Sequence, residues 1–139
     1  MTESLPEPKV KLTSLTGGTE RPMNDDKGIA RDLVGAADGA RNVDVHVNVI
    51  KPNTPPAPYH YHAHAENVYI VLEGTAEAIV GGERMRLNPH DVAFIPPGVP
   101  HAAGSTADGP VTMIEIYAPV GRDFHVVEPP PVVSPGDGS

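Results

Sequence analysis

The sequence predicts an all-β domain, and three observations carry that prediction. Short runs rich in Val and Ile alternate with polar residues. Glycine and proline, 14 and 17 of the 139 residues, fall mostly between those runs. No stretch sustains a helical period. Short strands at even spacing with turn signals between them are the pattern of a sandwich or barrel. Aromatic residues make up only 4% of the chain, so the core must be built from Val, Ile, Leu and Ala. A chain of this length is one domain's worth and can bury a real core.

Taken in order, residues 1–28 are polar, contain Pro6, Pro8 and Pro22, and read as a loosely held arm with one short strand around Val10 to Leu15. The domain proper is expected over residues 29–126. "KGIARDLVG" has room for one helical turn. "NVDVHVNVI" alternates without a break, with Val43, Val45, Val47 and Val49 on one face and Asp44, His46 and Asn48 on the other. "KPNTPPAP" cannot pair regularly, because its prolines lack donors and fix φ. "YHYHAH" and "NVYIVLEG" read as strands, and "TAEAIVGGERMRL" as two strands joined at Gly81-Gly82. "NPHD" turns, "VAFI" is a short buried strand, "PPGVPH" a rigid loop and "VTMIEIYAP" a late strand. Residues 127–139 form a proline-rich tail, expected to be disordered.

Charge excludes some functions. The net charge of −8 comes with no basic cluster, so nucleic acid is not an expected partner. No apolar run approaches the ~18–20 residues of a membrane span. "MTESLPEPKV" lacks the apolar core of a signal peptide, and the chain has no cysteine to form a disulfide or a Cys-ligated zinc site. These features fit a cytoplasmic protein.

The stretch "PYHYHAHAEN" carries chemistry. His60, His62 and His64 stand at alternate positions, and on a strand they would share one face. Such a row fits either a metal site or a solvated surface. His101, some forty residues on, closes the braced segment "IPPGVPH". Rigidity there suits an imidazole held at fixed depth and angle.

These two segments resemble the paired signature motifs of the cupin superfamily. His60-Tyr61-His62 matches the His-x-His of the first motif and Gly74 its closing glycine; Pro96, Gly98 and His101 match the second. The resemblance covers roughly residues 40–120. Departures are informative too. Thr54 stands where the first motif opens with glycine, His90 where the second does, and Ser105 where the second closes with asparagine. The usual glutamate ligand is displaced. Register from Gly74 places Asn67 there, while an anionic oxygen would come from Glu66, one position earlier and on the opposite face of a regular strand.

The resemblance implies a double-stranded β-helix, or jelly roll, with a divalent metal in one barrel mouth. Its ligands would be His60, His62, His101 and Asn67 or Glu66, and the ion Fe(II) first, then Mn, Ni, Cu or Zn. His64 is the candidate acid–base residue; His46 is expected to be partly exposed, and His90 and His125 to lie outside the site. Val49, Tyr59, Tyr69, Val71, Met85, Phe94, Met113, Ile114 and Ile116 are candidates for an apolar cavity lining. No Lys or Arg is expected in that core, which disfavours a phosphorylated substrate. The implied activity is an oxygen-dependent oxidation or cleavage of a small oxygenated compound. A non-redox cyclase or isomerase and a non-catalytic small-molecule binder are the alternatives. Pairing into a homodimer through sheet edges follows by the same resemblance.

Overall fold

The computed structural model describes residue 7 and residues 9–129. Among the described residues eleven strands form two antiparallel sheets. β1 (Thr19–Pro22), β2 (Gly28–Val34), β3 (Asp44–Ile50), β10 (Val111–Ala118), β5 (Glu66–Glu73) and β8 (Val92–Ile95) lie side by side in the first. The second runs β11 (His125–Val126), β4 (His60–Tyr61), β9 (His101–Ser105), β6 (Ala76–Val80) and β7 (Glu83–Leu87). Two sheets closing over one core are the expected jelly roll.

The core between the sheets is aliphatic, as composition requires. Ile50, Val71, Ala76, Ala78, Ile95, Val111 and Met113 are all buried in one cluster with Tyr69. A smaller cluster on the other side of the five-stranded sheet joins Tyr59, Ile79 and Ala102.

Several elements differ from expectation. Residues 10–15 form no strand, and Val10 and Leu12 are fully exposed; the arm contributes β1 instead, paired with β2. "KGIARDLVG" is the strand β2, not a helical turn, because β3 offers it a seven-residue partner edge. "YHYHAH" is strand for only two residues. β9 had no strand signal in "HAAGS", which lacks β-branched residues. It is extended because β4 and β6 flank it. At Gly104 a Cβ would meet the Thr54 carbonyl at 2.2 Å, so only glycine fits beneath the proline-rich loop. Ser105, standing for the motif's asparagine, clamps that loop: its hydroxyl donates to the Lys51 carbonyl and accepts from Thr54 N–H at 3.0 Å. The Asn88–Asp91 turn places His90 in the left-handed region at φ 77°, exposed. The tail beyond Pro129 lies outside the described residues.

Inward and outward faces invert the expected polarity. On β10 the buried residues are Val111, Met113, Glu115 and Tyr117, while Ile114 and Ile116 face out. On β3, His46, Asn48 and Ile50 face in and Val49 faces out. Register aligns the residues of the opposite face into apolar rows, Val45–Ile116–Val68–Phe94 and Val47–Ile114–Ile70–Val92, with Val47 itself buried.

Candidate metal centre and its cavity

β4 and β9 place His60 directly opposite His101. His62 follows two residues after His60, and its carbonyl accepts a 2.7 Å bond from Gly98 N–H, tying the histidine row to the proline-glycine turn. Gly98 sits at φ 82°, a conformation that glycine adopts without strain. One ring nitrogen from each of His60, His62 and His101 lies within 4.8 Å of the others. Ring centroids are 5.0 Å apart for His60–His62, 4.5 Å for His60–His101 and 5.1 Å for His62–His101.

Hydrogen bonds fix which nitrogen is available. His60 Nδ1–H donates to the Pro58 carbonyl at 2.7 Å, and His101 Nδ1–H to the Val99 carbonyl at 2.9 Å. His62 Nδ1–H donates to the Asp123 carbonyl at 2.6 Å. A carbonyl can only accept, so each neutral ring carries its proton on Nδ1 and leaves a lone pair on Nε2. This is the backbone-anchored arrangement that orients metal-binding imidazoles. Burial favours the same state. It lowers the pKa of all three rings, that of His60 to about 4, against the opposing pull of these carbonyl bonds.

Among the described residues, the buried side-chain polar atoms without a partner are His62 Nε2, His101 Nε2 and Asn67 Oδ1. Asn67 is 1% exposed and donates Nδ2–H to the Ile116 carbonyl at 3.0 Å, which leaves Oδ1 as the orphan. Glu66 is exposed. Strand parity thus turns Asn67 inward, with no bulge to bring Glu66 round. His64 corrects an expectation. The strand ends before it, the chain bends, and His64 is exposed and apart from the triad.

The C-terminal segment was not expected here. The Asp123 carboxylate accepts from Ala63 N–H at 3.0 Å, and this bond foremost holds its pKa at about 2. Phe124 stacks on His60 at 4.2 Å between centroids. β11 pairs with β4, so His125, read as outside the site, stacks on Tyr61 at 4.9 Å. The one available signal was an aromatic and an acid close behind the last long strand.

A cavity of about 120 Å³ opens on the His60 side. Of the expected lining only Tyr69 and Met113 face it. Val71 and Met85 lie in or against the core, Tyr59 in the second cluster, Phe94 is 57% exposed, and Val49, Ile114 and Ile116 point outward. The cavity wall is polar instead. Glu115 accepts from Asn48 Nδ2–H and from the Tyr117 hydroxyl, with His46 Nε2 4.0 Å away. His46 is 3% exposed, not half-solvated. Burial pushes the Glu115 carboxyl up, but His46 and the Tyr117 hydroxyl outweigh it and hold the group below its ordinary value. Burial keeps the Tyr117 phenol protonated, as a donor must be. Tyr117 also lies edge-on to His62 at 5.0 Å, joining the two walls. Arg21, Lys27 and Arg122 line the cavity as well, against the expectation of none. They come from segments flanking the central strands, where the core pattern gave no cue.

A jelly roll holding three convergent, backbone-anchored imidazoles beside a cavity defines the class: a β-barrel domain with a candidate metal centre. The Cupin domain family model matches residues 46–117, just over half of the 139 residues. The chain belongs to the cupin family. An uncharacterized protein of Aquifex aeolicus (strain VF5) is 34% identical over 89 residues, 63% of this chain and 70% of that one. The polyketide cyclase RemF from Streptomyces resistomycificus superposes with a TM-score of 0.72 at 24% identity, over 86% of this chain and 87% of that one. An uncharacterized conserved protein with a double-stranded β-helix domain from Klebsiella pneumoniae gives 0.70 at 24% identity, over 86% and 99%. At such identities these two solved structures share the fold.

Proposed function

We propose that this protein is a metal-dependent cupin enzyme that acts on a small oxygenated compound by acid–base chemistry, of the kind a cyclase or isomerase performs. The observation that carries the reading is the set of orphaned lone pairs. Two of the three imidazoles and Asn67 bury acceptors with no proton donor, a cost of about 1–3 kcal/mol each unless something fills the role. A divalent cation does so. Three neutral nitrogens with one neutral oxygen are a donor set suited to a transition ion. His60, His62 and His101 would hold it through Nε2, with Asn67 Oδ1 as the candidate fourth ligand. Such an ion supplies Lewis-acid polarisation of a bound oxygen.

The chain's own residues then manage the proton. Glu115 is the base of this cavity, kept ionised by its partners and able to accept a proton at a carboxylate oxygen. Asn48 and Tyr117 hold that carboxylate in one orientation, with His46 Nε2 4.0 Å behind it. Phe124, stacked on His60, adds an apolar surface to the lining.

The second reading is the iron-dependent dioxygenase. Its support is the wholly neutral donor set, which leaves an ion's full charge for an anionic substrate, and the apolar side chains of Ile50, Met113 and Phe124 in the lining. Purification without a histidine tag followed by metal analysis tests the shared premise. One ion per chain is expected, and none in His101→Ala; an unchanged stoichiometry in that variant overturns it. An oxygen electrode then separates the readings, since acid–base turnover consumes no O₂.

A further inference from the structure

We infer that the cavity binds a short hydroxy-carboxylate, its carboxylate seated on Lys27 and a hydroxyl donating to Glu115. The inference rests on the metal-centre reading for where the reacting end lies, not for the anion seat. Lys27 stands just before β2, and its side chain crosses to the opposite sheet. Its ammonium donates to the Ala57 carbonyl at 2.6 Å and to the Ala103 carbonyl on β9 at 2.9 Å. An ammonium has three donors, so one N–H remains in a residue that lines the cavity.

The other cations of the cavity are engaged. Arg21 Nε lies 2.9 Å from Asp32, and Arg122 pairs with Asp44 at 3.8 Å while covering the Tyr117 ring. Among the described residues no carboxylate forms an ion pair with Lys27. The Glu115 carboxylate of the same cavity acts on it through space. Burial accordingly lowers the Lys27 pKa. A half-buried charge of this kind is most stable when a ligand brings the counter-charge.

Glu115 sets the second half of the specificity. A carboxylate offers about four acceptor sites, and Asn48 and Tyr117 use two. The group facing it must therefore donate, and a ligand hydroxyl does. A dianionic phosphate would meet a single lysine and the repulsion of Glu115, whereas one carboxylate matches one ammonium.

The test is a ligand-observed NMR titration of the full-length protein, both as purified and after EDTA treatment, with metal content measured on each sample. Probes are glycolate, 3-hydroxypropionate and 4-hydroxybutyrate against the diols of matching length, with inorganic phosphate as a further arm. In the EDTA-treated protein at least one hydroxy acid should bind tenfold or more tighter than its diol, and Lys27→Met should shrink that gap to within twofold. Equal binding of acids and diols, a gap unchanged in Lys27→Met, or phosphate binding tighter than every hydroxy acid overturns the inference. If Lys27→Met does not fold, movement of the wild-type Lys27 side-chain resonance with the acids but not the diols decides instead. An acid preference in protein that never binds an ion would uphold this inference and sink the metal reading. Bound ion without acid preference would do the reverse.

Discussion

The two sides of the site are built by opposite means, and of the histidine triad only His60 reaches the cavity itself. On the five-stranded sheet, three imidazoles are held neutral, two of them fully buried, and each donates its Nδ1–H to a backbone carbonyl. On the six-stranded sheet a full negative charge is buried and then surrounded by donors. The first wall stores unsatisfied lone pairs; the second stores a satisfied anion. Removing a histidine removes a ligand and leaves one backbone carbonyl without its donor, whereas removing Glu115 strands two buried donors at once. The difference predicts that the two walls will fail differently, one in binding and the other in folding.

The largest effect is expected on the histidine wall. His62→Ala or His101→Ala should weaken metal affinity by more than the ~10–100-fold that losing an outer partner costs, measured by chelator competition, with unfolding of the metal-free protein changed far less. Comparable metal affinity in both variants and wild type would erase the contrast. On the other wall, Glu115→Ala leaves Asn48 Nδ2 and the Tyr117 hydroxyl buried without an acceptor. At ~1–3 kcal/mol for each of the two orphaned groups, the loss should be about 2–6 kcal/mol in urea unfolding. Glu115→Gln retains an acceptor and should lose about half as much, while both keep the metal.

Acid sharpens the comparison further. In the metal-free protein, burial lowers the His60 pKa from 6.5 to about 4. Above 6.5 the ring is neutral folded or unfolded, so it contributes no pH dependence. As pH falls from there, the unfolded chain takes up protons that the folded one refuses, and stability drops until about 4, where both are charged. His62 and His101 act in the same direction. The urea midpoint should fall across that window, and a flat midpoint would mean the rings are not desolvated as the structure has them. A smaller effect comes from the strap behind the triad. Asp123→Ala loses the carboxylate that holds Ala63 N–H but keeps the carbonyl that anchors His62. Metal affinity should fall about tenfold, at the low end for an outer partner.

One wall was legible in the sequence and the other was not, for a physical reason. His60, His62 and His101 are announced by spacing and by braced turns, local properties that a strand or loop imposes directly. Glu115, His46 and Asn48 are announced only by alternation, and alternation separates two faces without saying which goes inside. Valine and isoleucine suggested the inner face of β3 and β10; the structure turns His46, Asn48 and Glu115 inward beside Ile50, Val111 and Met113, and puts Val49, Ile114 and Ile116 on the other face. Lys27 and Phe124 reach the cavity by tertiary contacts from flanking segments, which no periodicity reveals.

His64 supplies the smallest effect and the sharpest check on that lesson. By parity alone it is equivalent to His60 and His62, so a strand continued through Ala63 would bring it to the same ion. The strand instead ends at Tyr61, and the chain bends at Ala63, whose N–H the Asp123 carboxylate takes, before it reaches His64. The ring is left exposed. His64→Ala should thus change metal stoichiometry and affinity by less than twofold and stability within about 0.5 kcal/mol, as exposed substitutions do. A tenfold loss of affinity would mean that the strand runs on in solution and that the Asp123 clamp does not set the end of the histidine row.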